Sequence, residues 1–165
     1  QEPTRVTVWS CPSTQRRFGL AKTKWKIVST NSEERDEKDG PAINAIDDDP
    51  TTIWHTQWRA AEPGFPHELV IDLGEERTIT AIGYLPRQDG HPAGMIQEYA
   101  IYAGATADTG TTPVAAGRFD NIVNSPTERI VDLGKPVKAR FIRFVGLSAA
   151  NGGKQASAAD ISVFG

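Results

Sequence analysis

A chain of 165 residues fits a single domain and is long enough to bury a substantial core. Hydrophobic residues make up 38% and charged residues 24%, while fifteen glycines and eleven prolines supply many turns, which favours short strands over long helices. The formal charge of -3 argues against nucleic acid, which needs a basic face, and against an electrostatic hold on a membrane. The single cysteine, Cys11, rules out an internal disulfide, and no apolar run approaches the length of a membrane span. The chain starts at Gln1 without a methionine, as expected of a processed or excised form.

Residues 1–21 read as a linker or the remnant of a preceding domain, with Arg5–Trp9 as a candidate strand and Arg16 and Arg17 as a basic spot. Residues 22–165 make up one module. Its first strand is expected at Trp25–Ser29, followed by a solvated charged turn over Glu33–Asp39, EERDEKD. The stretch Asn44–Thr52, NAIDDDPTT, gathers oxygen-bearing side chains and turn formers. It suits either a hard cation, which takes about six to eight oxygens, or a plain Asp-rich turn. Trp54, inside an apolar segment, is expected in the core. Trp58, in the polar, Pro- and Gly-rich stretch up to Pro66, is expected to be exposed, and His67 at a strand start is read as structural. His55, Trp58 and Arg87 form a set able to dock a polyhydroxylated ligand, since a sugar needs an aromatic platform and a few fixed polar groups.

From Glu68 onward the hydrophobic period is two. Leu69, Ile71 and Leu73 share one face, as do Ile79, Ala81, Gly83 and Leu85, and then Tyr99, Ile101 and Ala103. Turn signals fall at Asp72-Leu73-Gly74, Asp89-Gly90 and Asp132-Leu133-Gly134. Further strands are expected at Val114–Phe119, Arg129–Leu133, Ala139–Leu147 and Ala158–Phe164. The prediction is an all-β jelly-roll sandwich of about eight antiparallel strands, with no amphipathic helix.

Several pieces, in their order and spacing, carry a family resemblance. They are Asn44-Ala45-Ile46-Asp47, Thr52-Ile53-Trp54-His55-Thr56, Pro66-His67, Ile71-Asp72-Leu73-Gly74, Leu85-Pro86-Arg87-Gln88-Asp89-Gly90, Glu98-Tyr99 with Tyr102, Ala139-Arg140-Phe141-Ile142-Arg143, and Ala158-Ala159-Asp160-Ile161-Ser162-Val163. Over about residues 24–165 the chain resembles a factor V/VIII type C (discoidin) domain and, within that superfamily, the family 32 carbohydrate-binding modules, whose fold is galactose-binding-domain-like. The resemblance implies a non-catalytic, secreted, periplasmic or cell-surface bacterial module, expected to be monomeric and appended to a glycoside hydrolase. Such a module binds terminal galactose or N-acetylhexosamine-type sugars through loops at one end of the sandwich.

The resemblance also implies site residues. Trp58 would stack on the sugar ring while His55 and Arg87 bond its hydroxyls. Pro92 and Ala93 stand where the family often carries a polar residue, and Gln155 where it often carries an aromatic. Asn151, Lys154 and Gln155, with Gln88 and His91, are the polar replacements at hand. A structural calcium would be held by the carbonyls of Asn44, Asp49 and Ala159, by the carboxylates of Asp47 and Asp160, and by Thr52. Asp160 replaces the usual Glu, and Asp48 a common glycine. Two other readings stay open: a structural spacer with a degenerate sugar site, and a discoidin domain that binds a membrane or protein through Phe65 and Met95. No nucleophile–base pair or paired carboxylates suggest an enzyme.

Overall fold

Two strands run the length of the fold: β3 (His67–Leu85), nineteen residues, and β6 (Arg129–Gly146), eighteen, antiparallel to each other. The computed structural model describes residues 18–165, so the candidate strand Arg5–Trp9, the Arg16–Arg17 spot and Cys11 lie outside the described residues. The other strands are β1 (Lys26–Thr30), β2 (Trp54–His55), β4 (Glu98–Gly104), β5 (Ala115–Arg118), β7 (Ser157–Ala158) and β8 (Asp160–Phe164). All pairings between these strands are antiparallel. A 3-10 helix, Ala42–Ile46, is the helical element among the described residues.

The first half of β3 pairs with β1 and with the second half of β6, which continues to β4 and β5. The second half of β3 pairs with the first half of β6 and with β8. The chain therefore builds both layers of a jelly-roll β-sandwich from strands that pass from one layer to the other. Residues on the two inner faces meet in one core that includes Leu69, Ile71, Ile79, Ile82, Ile142 and Ile161. Near its edge, Tyr99 stacks on Phe119 at 4.3 Å and Tyr84 on Phe119 at 5.1 Å. Leu20 donates its amide to Val163 at 2.8 Å, and Gly165 to Phe18 at 3.2 Å, so the segment before β1 lies along β8.

Two expected breaks are not turns. Asp72-Leu73-Gly74 and Asp132-Leu133-Gly134 were expected to end strands, but each lies inside one. Asp72 accepts the Gly74 amide at 2.7 Å and Asp132 that of Gly134 at 2.8 Å, with the glycines at φ +84 and +79. The Asp side chain closes a local loop over two residues, and the pairing register shifts there instead of reversing. Two expected pairs of strands fuse as a result. Because β2 and β7 appear in their stead, the count still comes to eight.

The register shift between Ile79 and Ala81 also corrects the inward face of this stretch. The alternating set Ile79, Ala81, Gly83, Leu85 keeps phase only at its start. Beyond the bulge the core takes Ile82 and Tyr84, both fully buried. From Ile79↔Val137 to Ala81↔Asp132 the pairing advances two residues on β3 and five on β6, so the extra residues lie on β6, around Asp132-Leu133-Gly134. The charged stretch Glu33–Asp39 departs from expectation too: Glu34 is only 4% exposed.

The two bulge glycines make a paired test. A Cβ on Gly74 would sit 2.6 Å from Lys24 Cβ and 2.8 Å from its carbonyl oxygen, whereas one on Gly134 meets nothing within 4 Å. Gly74→Ala is expected to cost about 3 kcal/mol and Gly134→Ala about 1 kcal/mol, measured by urea denaturation, because the second carries only the left-handed penalty.

Candidate functional site

The site lies at one end of the sandwich, where short backbone pairings hold four segments together. In the β2–β7 ribbon, Trp54 faces Ala158 and His55 faces Ser157. The His55 amide donates to Gly40 at 3.1 Å, the Glu34 amide to the His55 carbonyl at 2.8 Å, and the Ser157 amide to Gly94 at 2.8 Å. Gly40 has to be glycine, since a Cβ would fall 2.0 Å from the Glu34 carbonyl oxygen. Trp54 is fully buried, as expected, with its indole N–H donating to Ser32 O at 2.9 Å.

These contacts gather His55, Trp58, Arg87, His91, Ala93 and Gln155 around a cavity of about 390 Å³, with Glu37, Lys38, Asp39 and Ile53 completing its lining. Four residues expected at a sugar site, His55, Trp58, Arg87 and Gln155, therefore share one cavity. Asn151 does not line it; its carboxamide oxygen accepts the Gly153 amide at 2.9 Å and so shapes its own turn. Lys154 gives its carbonyl to His67 Nε2 at 2.7 Å, which bears out a structural His67. Gln88 faces an adjoining cavity of about 250 Å³ with Pro50 and Thr51.

His55 is 5% exposed, and its Nδ1 lies 2.7 Å from the Thr56 carbonyl oxygen. A carbonyl only accepts, so Nδ1 carries the proton and Nε2 is a bare acceptor with no hydrogen-bond partner among the described residues. Burial pushes the imidazole below its ordinary value of 6.5, with the Thr56 bond opposing and the Arg87 charge assisting. His55 is thus neutral near pH 7.

Arg87 is 12% exposed in its side chain. Nε and Nη2 grip Asp89 at 2.8 and 2.6 Å, and Nη1 donates to Ala93 O at 3.0 Å. These bonds use three of the five guanidinium N–H groups, fix the plane, and leave two donors for a ligand. The same bonds hold the Asp89 carboxyl down to about 2, chiefly through Arg87. Pairing with Asp89 and a ligand role are therefore compatible.

Trp58 is 44% exposed, with the Arg59 guanidinium 5.7 Å from its ring centroid. Its backbone is set by Glu34, whose Oε2 accepts the amides of both Trp58 and Arg59 at 3.2 Å. The bond from Trp58 holds the Glu34 carboxyl below its ordinary range. Glu34 was read as part of a solvated run. Only Gly40-Pro41, a turn ending that run, hinted that the loop doubles back.

The oxygen-rich loop lies apart from this cavity. The Thr52 hydroxyl donates to Asp47 Oδ2 and lies 3.2 Å from the Asp49 carbonyl oxygen, so these oxygens, of the hard type that calcium takes, are held together by the loop's own hydrogen bonds. Asn44 braces the loop through its side chain, donating to Lys38 O and Ile53 O at 3.1 and 3.0 Å. Among the described residues no group of three His, Cys, Asp or Glu side chains is placed to hold a metal, so an ion here depends on backbone carbonyls. Asp160, the carboxylate expected from β8, is bound by Lys22 at 2.6 Å.

Comparison with known proteins gives a consistent picture. The F5/8 type C domain family matches residues 27–161. A sialidase from Micromonospora viridifaciens is 38% identical over 148 residues, covering 88% of this chain and 22% of the sialidase. A galactose oxidase from Gibberella zeae is 30% identical, covering 88% of this chain and 20% of the oxidase. The chain thus spans about a fifth of the length of these curated relatives. Among solved structures, the family 32 carbohydrate-binding module of Clostridium perfringens NanJ in complex with galactose superposes with a TM-score of 0.77 at 27% identity, over 91% of this chain and all (100%) of that one. A second C. perfringens family 32 module, in complex with GalNAc-β-1,3-galactose, gives 0.79 at 28% identity, over 90% and 100%.

If Glu34 sets the Trp58 platform, Glu34→Ala should speed hydrogen exchange of the Trp58 and Arg59 amides by about tenfold or more, while the amides of β3 stay protected. Glu34→Gln, which keeps an acceptor oxygen, should change it much less. Unchanged exchange in the alanine variant would remove Glu34 from this role.

Proposed function

This chain belongs to the F5/8 type C, or discoidin, family, and from that premise we propose that it is a non-catalytic carbohydrate-binding module for terminal galactose or N-acetylhexosamine-type sugars. The observation that carries the reading is the single cavity that joins the exposed Trp58 face, the bare His55 Nε2 and the two remaining donors of Arg87. A sugar ring presents C–H groups to the indole and a pair of hydroxyls to the polar side. One hydroxyl donates to His55 and another accepts from Arg87. A neutral acceptor beside a fixed donor matches hydroxyls, which do both.

Two of the acids near the cavity have other work, while Glu37 and Asp39 line it. Asp89 anchors Arg87, and Glu34 binds two amides. This supports binding without catalysis. The apolar residues considered for membrane insertion are packed, with Met95 3% exposed and Phe65 partly buried against the core. Relatives several times longer than this chain support a targeting role, in which the module holds an appended glycoside hydrolase at glycans outside the cell. The loop oxygens of Asp47, Asp49 and Thr52, with the carbonyls of Asn44 and Ala159 and the carboxylate of Asp160, would hold a calcium that ties the loop to β8. Its role would be structural.

Titration with galactose, N-acetylgalactosamine, N-acetylglucosamine and fucose, by calorimetry or chemical shift, tests the sugar reading. A shallow single site is expected to bind the preferred sugar at ~0.1–1 mM. Trp58→Ala should abolish saturation. Absence of binding to all four sugars by the folded wild type would leave the spacer reading, with Pro92, Ala93 and Gln155 marking a degenerate site.

The same titration across pH tests the role of His55. Its folded value lies below 6.5, so the neutral acceptor is present at and above that pH. Affinity should be flat from pH 8 down past 6.5 and fall only as the pH drops through the lowered value. Affinity that rose on acidification would exclude His55 Nε2 as an acceptor.

A further inference from the structure

Lys22 sits where three segments meet. Its Nζ lies 2.6 Å from Asp160 Oδ1 on β8 and 2.9 Å from Asp48 Oδ1 in the oxygen-rich loop. The lysine side chain is only 7% exposed, and its Nζ is 5.4 Å from the centroid of the Trp25 ring. An ammonium buried to this degree needs close anionic partners to offset its lost hydration. Two carboxylates and an aromatic ring supply them. Asp48 adds a second sign of design. It holds φ +58, a conformation that favours glycine, and its side chain reaches Lys22 from there.

We propose that the Lys22 ammonium is the chain's own cation at the junction of the 47–52 loop with β8, closing it without metal and competing with calcium for Asp160. The second half of this statement rests on the calcium reading; the first does not. The loop's other oxygens, from Asp47, Asp49 and Thr52, converge independently of Lys22. The contest is therefore over the β8 side. A calcium that uses Asp160 must take a carboxylate oxygen from an ammonium 2.6 Å away and then tolerate that ammonium as a like-charged neighbour. The charge also accords with this role. Asp48 and Asp160 with Lys22 carry a net single negative charge, and replacing Lys22 by a neutral side chain leaves two close carboxylates, which favour a divalent ion.

The test uses the 165-residue chain with calcium alone as the probe. Wild type, Lys22→Met and Asp48→Asn are melted in EDTA, and each is titrated with calcium by calorimetry. Lys22→Met is expected to melt about 5 °C below wild type in EDTA, because it leaves the largely buried Asp160 carboxylate, with the exposed Asp48 beside it, without its cation. It should also bind calcium about tenfold more tightly than wild type and recover stability when saturated. Asp48→Asn keeps the Asp160 pair and should show a smaller loss in EDTA, which carries the first half if Lys22→Met fails to fold. Melting of both variants at the wild-type temperature in EDTA would overturn the built-in cation. Equal calcium affinity in wild type and Lys22→Met would overturn the competition while leaving calcium binding intact. No calcium binding by any of the three would strike the calcium reading and the competition with it, and the EDTA melts would still decide the role of Lys22.

Discussion

The β2–β7 ribbon is the constraint on which the site depends. It is two residues long on each side, yet it joins the middle of the chain to its end. Trp54 and His55 cannot shift against Ser157 and Ala158 without moving the cavity wall on one side and β8 on the other. Tyr84 locks this ribbon from within. Its hydroxyl donates to Ser157 O at 2.7 Å and accepts the Ile96 amide at 3.1 Å, inside a fully buried ring. Burial raises that phenol well above its ordinary range, so it stays a donor at neutral pH. A buried hydroxyl with both functions satisfied ties the core to the site by direction as well as by packing. The two long strands supply the frame, and the ribbon transmits its rigidity to the loops.

The charges around the cavity are arranged to cancel locally. Arg87 is matched by Asp89, Arg59 by Glu37, and Glu34 by two backbone amides. An exposed ion pair such as Arg59–Glu37 contributes little to stability, a median of about 0–1 kcal/mol. The effect of these pairings is to hold side chains in place. Each pair leaves the cavity a polar group with fixed orientation and a muted field. A ligand that needs a strong field, such as a phosphate, gains little from such a site. A ligand whose hydroxyls donate and accept in alternation gains from fixed directions, because it loses less on ordering them.

Much of this was legible in the sequence, for physical reasons that also explain what was not. Two-residue periodicity marked the layers, because a pleated strand sends alternate side chains to one core. It did not reveal that β3 and β6 run on through their Asp-Leu-Gly bulges. The same side chain-to-amide bond that closes a turn also closes a bulge, and only the partner strand tells them apart. The phase change after Ile79 is invisible for the same reason. Trp54 and Trp58 were separable because one lies in an apolar segment and the other among polar and turn residues. Glu34 was not, because a buried carboxylate inside EERDEKD has the local signature of a solvated one. Its burial is set by amides more than twenty residues away in the chain. Lys22, at the start of the expected module, likewise shows its role only when β8 is folded beside it.

The weakness expected of the cavity follows from its shape and bears on the role proposed for the whole. In the proposed role, one exposed indole face and two or three directed hydrogen bonds would contact one side of a sugar ring, and the remainder of the ligand would stay in water. Much of that gain would offset the loss of translational freedom, which is why the proposed affinity is as weak as ~0.1–1 mM. A free module of this strength would occupy few sites on a dilute glycan. Fused to a larger protein it acts differently: each rebinding becomes intramolecular, and an effective concentration in the millimolar range matches the dissociation constant. The chain matches about a fifth of the length of these curated relatives, the arrangement in which such tethering would operate. Selection on such a module acts on orientation and stability more than on affinity, which accords with a binding set whose members are each fixed by a second residue: Arg87 by Asp89, His55 by the Thr56 carbonyl, and Trp58 by Glu34.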